Sequence, residues 1–91
     1  MRLTLEPGVD IAALVRGASG ESLVVMISAT LGALAMAQAR AAIGPLAVEL
    51  APATRVNAVV LAEGADPADV DAAVAFLEQA RSTTGQLIEM R

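Results

Sequence analysis

Residues 22–39 read SLVVMISATLGALAMAQA, 18 residues without a charge. A chain of 91 residues has to withdraw such a run from water, so the run fixes where the core or a membrane span lies. Its length sits at the lower limit for crossing a bilayer. Its composition argues for a different solution. The first part is β-branched and the second Ala-rich, with Gly32 between them, and Ser22, Ser28, Thr30 and Gln38 dilute the whole. β-Branched residues fit a pleated strand, whereas alanine has the best helix propensity. The run therefore reads as a buried strand passing into a buried helix. No basic segment precedes it in the layout of a secretory signal, so secretion is not expected.

The flanking sequence extends this alternation. Residues 2–6, RLTLE, alternate Leu3 and Leu5 with polar neighbours, as a short strand does. Pro7, Gly8 and Asp10 then interrupt the chain. Ile11, Leu14 and Val15 follow at helical spacing, and Gly17 to Gly20 close that element. Residues 22–29 are apolar at successive positions, which fits a strand covered on both faces of a parallel sheet. A helix is expected from about Leu31 to Leu50, with a kink or break at Gly44-Pro45, because proline has no N–H to donate. Residues 55–62 form a third strand. Asp66 as N-cap, Pro67 in the first helical position and Asp69 in the first turn then open a helix. Val70, Ala73, Val74 and Leu77 mark its apolar face as far as about Arg81. Residues 86–90 complete a βαβαβαβ order, which predicts one α/β domain over residues 1–91 with a mainly parallel four-stranded sheet.

Composition excludes several functions. Ten acidic residues against six arginines leave a net charge of −4, with no basic cluster, so neither nucleic acid nor an anionic membrane surface is an expected partner. The absence of cysteine removes disulfide and thiol chemistry and agrees with a cytoplasmic protein. With no histidine either, a Ser-His pair and a His/Cys zinc site are closed routes. Glu63, Asp66, Asp69 and Asp71 lack the spacing and terminal glutamate of an EF-hand loop, and Asp66 and Asp69 have a structural task at a helix start. Met26, Met36 and Met90 read as packing residues rather than ligands.

Four segments in order carry a resemblance: SLVVMISA, GPLAVELAPATRVNAVV, ADPADVDAAVAFLEQA and STTGQLIEM. Together, over roughly residues 20–90, they resemble the C-terminal half of short-chain dehydrogenases/reductases. The resemblance implies a truncated Rossmann-like fold. In that family an apolar strand ends in the catalytic Ser, and the next helix carries Tyr-x-x-x-Lys. Ungapped, the Ser position falls on Ala29, with Ser28 one residue away, and the Tyr and Lys positions fall on Gly32 and Met36. The chain contains no Tyr and no Lys. The family's phenol is the general acid or base for the carbonyl-alcohol proton, and its lysine lowers the phenol pKa and holds the nicotinamide ribose. Arg40 could supply charge, but no side chain replaces the phenol. A separately encoded N-terminal half could not restore this pair, because the pair belongs to the half present here.

A second likeness, ALVRGASGES at residues 13–22, evokes the family's glycine-rich cofactor turn. Gly17 and Gly20 are present, but Glu21, Ser22 and Leu23 stand where small residues would let the backbone approach a pyrophosphate. The segment also runs into a strand rather than a helix, so it reads as a helix end and turn. No catalytic, cofactor-binding or metal-ligating residue is assigned, and no cofactor is expected.

Helix placement bears on assembly. Three right-handed crossovers in one direction put every helix on one face of the sheet, whereas the resemblance puts the last helix opposite the other two. Either way the helices are too few to cover both faces, and the first strand is an open edge where the family continues its sheet. The expectation is a non-catalytic, self-associating structural or interaction protein, most simply a two-fold homodimer. Ala33, Ala37, Ala41, Ala47 and Ala51 would let two copies of the helix around residues 33–50 approach closely. In the family that helix and the preceding one commonly make the subunit contact. The alternative is a reduced NAD(P)-binding oxidoreductase-related protein or subunit needing another chain. Asn57 and the loop 63–65 are the positions nearest such a site, although Asn57 reads as structural and Glu63 would repel a phosphate.

Overall fold

A strand can be apolar at every position only where both of its faces are covered. A computed structural model, which describes residues 1–90, meets that condition with β1 (Arg2–Thr4), α1 (Ile11–Gly17), β2 (Ser22–Ser28), α2 (Ala33–Leu50), β3 (Arg55–Leu61), α3 (Pro67–Gln79) and β4 (Leu87–Met90). All strand pairs are parallel and the spatial order is β1-β2-β3-β4, a Rossmann-like α/β arrangement. β2 and β3 occupy the middle. Leu23, Val25, Ile27, Val56, Ala58 and Val60 face α1 and α2, and Val24, Met26 and Val59 face α3. Leu23, Val24, Val25, Ile27, Val56 and Val59 are fully buried. Each such side chain contributes about 1.5–3 kcal/mol of transfer free energy.

The helices settle the question of faces. α1 and α2 pack on one side and α3 on the other, as the resemblance implied and the uniform crossover rule did not. Every step along the sheet goes in the same direction between parallel strands. A helix on the opposite face therefore gives the third crossover the opposite hand to the first two, against a strong general preference. Val70, Val74 and Leu77 hold α3 over β2 and β3, while Leu61, Ile88 and Met90 are left half-buried. One helix covers the middle of that face and not its margin.

Local chemistry places the helix starts. Asp10 caps α1 by accepting from Ala12 N–H at 3.2 Å, and Asp66 caps α3 by accepting from Ala68 N–H at 2.8 Å, with Pro67 opening the helix as expected. The expected interruption at Gly44-Pro45 does not occur, for α2 runs unbroken from Ala33 to Leu50. Gly44 and Pro45 lie on its exposed side, where water can satisfy the carbonyl that proline leaves free. Ile43, Leu46 and Ala47, buried on the sheet, anchor the helix on both sides of the proline. Other boundaries move slightly. β1 ends at Thr4, β2 at Ser28 and β3 at Leu61, β4 begins at Leu87, and a 3₁₀ turn (Ala29–Leu31) precedes α2.

Candidate functional site

In a parallel sheet, ligands bind beyond the C-terminal strand ends, where adjacent connections leave for opposite faces. Here the connection from β2 goes to α2 on one face and that from β3 goes to α3 on the other. The crevice opened by this divergence has Ala62 in common to two cavities. One, of about 320 Å³, is lined by Ala29, Met36, Arg40, Val60, Glu89 and Met90 as well as Ala62. The other, of about 300 Å³, lies against Leu61, Gly64, Ala65 and the start of α3, with Arg2 and Asp71 at its rim.

Two of the three positions aligned with the family's catalytic residues line this crevice. Ala29 begins the 3₁₀ turn, and Met36 lies one helical turn before Arg40, on the same side of α2. Gly32 is the N-cap of α2 at φ 91 and ψ 157, a conformation open almost only to glycine. Ser28 is occupied locally: its Oγ lies 2.7 Å from Thr30 Oγ1 and accepts from Thr30 N–H at 3.2 Å. Arg40 is paired with Glu89 of β4, and Arg2 donates to Asp71 at 2.8 Å. The Arg40–Glu89 pair joins residues far apart in sequence, and no local pattern signalled it. Among the described residues, the crevice thus offers Ala29, Met36, Val60, Leu61, Ala62 and Met90 flanked by the Arg40–Glu89 and Arg2–Asp71 ion pairs. A nicotinamide dinucleotide finds a poor fit in these residues, because α3 starts with Asp66 as its N-cap and carries Asp69 in its first turn, and both oppose a phosphate at that helix end.

The remaining sequence candidates lie elsewhere. Gly17 ends α1, and residues 18–21 lead into the N-terminal end of β2, opposite the crevice, so ALVRGASGES is a helix end and turn. Asn57 is fully buried at that same end. Its amide donates to Thr83 O at 3.1 Å, and its Oδ1 accepts from Gln86 N–H at 3.0 Å, which pins the loop before β4. Glu63 sits on an exposed turn.

On the flank formed by α1 and α2, Arg16 makes a two-pronged ion pair with Glu49, at 2.7 Å through both Nε and Nη2. That hydrogen bonding, helped by the charge of the guanidinium, holds the Glu49 carboxyl below the usual carboxylate range and raises Arg16 further. The outer face of α2 carries Leu34, Ala37, Ala41, Gly44, Pro45 and Val48, all exposed, whereas Ala47, expected among the alanines of the pairing face, is buried on the sheet side with Ile43 and Leu46. Leu34 is 73% and Val48 79% exposed.

Fold and crevice together define a parallel α/β protein of Rossmann-like type. Residues 8–90 match the family described as "SDR-like: Short chain dehydrogenase-like protein", and the chain belongs to that family. No curated protein and no solved structure matches it. Among the described residues no helix is long and apolar enough to cross a membrane.

Proposed function

We propose that this chain is a non-catalytic dehydrogenase-like domain that acts by self-association, most simply as a two-fold homodimer through α2. The outer face of α2 carries the reading: from Leu34 to Val48 it exposes uncharged side chains at seven-residue spacing (Leu34, Ala41, Val48) with Ala37 and Gly44 between. That is the pattern of a seam between two helices. Small residues in the middle let backbones approach, and the larger Leu34 and Val48 close the ends. Light scattering at low micromolar concentration tests it. The expected result is a dimer that Leu34→Asp converts to a folded monomer, while a wild-type monomer with a concentration-independent thermal transition overturns the reading.

Absence of turnover is the second half of the proposal. Positioned acid-base groups contribute about 10²- to 10⁴-fold to such reactions, and the crevice supplies none. Purified chain is expected to show no carbonyl reduction with either nicotinamide cofactor, and robust turnover free of contaminating enzyme would overturn this half. The cysteine-free composition suits a cytoplasmic setting.

The free edge of β1 favours a second reading, a subunit that shares a nucleotide with a separately encoded chain. Odd-numbered residues of this strand bond to β2, as Leu5 N–H does to Met26 O at 3.0 Å, so Arg2 and Thr4 direct their backbone groups outward. Calorimetric titration with the oxidised and reduced nicotinamide cofactors separates the two readings, since saturable binding supports the second.

A further inference from the structure

The two helices on one face differ in length, and the difference leaves a groove. α1 has 7 residues and α2 has 18, about 10 and 27 Å at 1.5 Å per residue. The Arg16–Glu49 pair holds the C-terminal end of α1 beside the C-terminal end of α2. The first half of α2 therefore has only the turn after β1 beside it, and a groove of about 320 Å³ runs between them. That volume is at the small end of ligand pockets, which span about 300–1,000 Å³. The turn follows the C-terminal end of β1, the side of the sheet on which α/β proteins bind ligands. α2 contributes Ala35, Gln38, Ala39 and Ala42. The groove is thus separate from the crevice, which takes Met36 and Arg40, and from the exposed seam of Leu34, Ala41 and Val48.

The lining has a definite chemistry. Leu5, Ile11, Leu31 and Ala39 give an aliphatic wall, and Leu5, Ile11 and Ala39 are buried in the core, which fixes that wall in place. Glu6, Asp10 and Gln38 give the polar side, and no basic or aromatic residue lines the groove. Arg2, Arg16 and Arg40 are each paired elsewhere, with Asp71, Glu49 and Glu89. Glu6 and Asp10 take part in none of the ion pairs found among the described residues. Asp10 commits Oδ1 to the N–H of Ala12, which leaves Oδ2, and its charge adds only weakly to the attraction on Arg16.

We propose that this groove binds a small aliphatic primary amine, its ammonium at Glu6, Asp10 and Gln38 and its hydrocarbon chain along Leu5, Ile11 and Leu31. Two carboxylates without a cation of their own attract a positive ligand and repel a carboxylate or phosphate. A primary ammonium has three N–H donors and no acceptor, and Glu6, Asp10 Oδ2 and the Gln38 amide oxygen supply acceptors for all three. A quaternary ammonium has no N–H to give them and finds no aromatic face of the kind that ordinarily binds it. The hydrocarbon chain supplies most of the affinity, because ion pairs at exposed carboxylates are individually weak. The charge supplies the selection.

Amide NMR titration of the purified chain at pH 7 and low salt tests site and selection together, with n-hexylamine, n-hexanol, hexanoate and n-hexyltrimethylammonium as probes. Hexylamine is expected to shift the amides of Glu6, Gly8, Asp10 and Ala39 saturably, and each of the other three to bind about threefold more weakly or worse. Glu6→Gln lies on an exposed turn and is checked for folding by circular dichroism. It is expected to weaken hexylamine about threefold and to leave hexanol unchanged, as 0.5 M salt should also do to a lesser degree. Ala35→Phe, which fills the groove, is expected to abolish binding of every probe. Hexanol or hexyltrimethylammonium binding as well as hexylamine overturns the proposal. So do an unaltered hexylamine affinity in Glu6→Gln, shifts confined to residues outside the groove, and no saturation by hexylamine at 20 mM. These readouts are made per chain and do not depend on self-association, so the proposal stands or falls separately from it.

Discussion

The two ends of the sheet use their residues in opposite ways. At the N-terminal strand ends polar side chains hold the chain together: Asn57 grips both sides of the loop before β4, Thr84 Oγ1 accepts from Val56 N–H at 3.0 Å, and Thr54 donates to Gly20 O at 2.9 Å. At the C-terminal ends, where an α/β protein ordinarily places its chemistry, Ala29, Met36 and Ala62 line an aliphatic crevice. The family-like residues found here are thus mostly those that hold the fold, and the proton-handling pair is absent. The groups that tie this short-chain dehydrogenase-like fold together and the positions aligned with the family's catalytic residues sit at opposite ends of the sheet.

The largest effect is expected where the polar network is buried. Asn57→Ala leaves the Thr83 carbonyl and the Gln86 N–H without their partner beneath α3. The expected loss is about 2–4 kcal/mol, or roughly 10 °C or more in Tm for a chain of this size. At the other end Ala29→Ser, an exposed change, is expected to stay within about 0.5 kcal/mol. Thermal and urea unfolding of the two variants against wild type measures the contrast. Equal losses at both positions would break the distinction between the two ends.

The entry to α2, beside the crevice, has one constraint of its own, and it lies in the backbone. A Cβ added at Gly32 meets nothing within 4 Å, yet φ there is +91°. Gly32→Ala is expected to destabilise by about 1–3 kcal/mol through backbone strain alone. Rebuilding the family's pair as Gly32→Tyr with Met36→Lys therefore carries the same strain before any catalytic gain. A Gly32→Ala variant as stable as wild type in urea would show that the chain into α2 relaxes freely and that the crevice could be rebuilt.

Much of this was legible in the sequence because it rests on short-range patterns. The continuous apolar stretch of β2 announced a strand covered on both faces, and Asp66-Pro67 announced α3 by capping chemistry. The reading of Asn57 as structural also matches its place in the fold, although its partners could not be named. What escaped depends on tertiary placement. Pro45 stays within α2 because Ile43 and Leu46 are already held on the sheet, a compensation invisible to local propensity. The side chosen by α3 contradicts the crossover preference and was legible only through the family resemblance.

The smallest effect concerns the Arg16–Glu49 pair, which ties α1 to α2 near the well-knit end of the sheet. Glu49 is held below the ordinary carboxylate range, first by its hydrogen bond with Arg16 and then by the guanidinium charge. A carboxyl whose folded pKa is depressed contributes stability that is complete above its unfolded pKa and is lost as pH falls through the folded value. The loss therefore belongs to the acid side, below the usual glutamate pKa of about 4.3. Arg16, raised beyond an already high value, adds no pH dependence in the accessible range. Carboxyl-carbon NMR titration at low salt is expected to show Glu49 titrating later on acidification in wild type than in Arg16→Gln, with the difference shrinking in 1 M salt because both groups are exposed. An unchanged Glu49 titration in the variant would mean that the two-pronged contact is not populated in solution. The polar ties at this end of the sheet would then be those of Thr54 with Gly20, Thr84 with Val56, and Asn57 with the loop before β4.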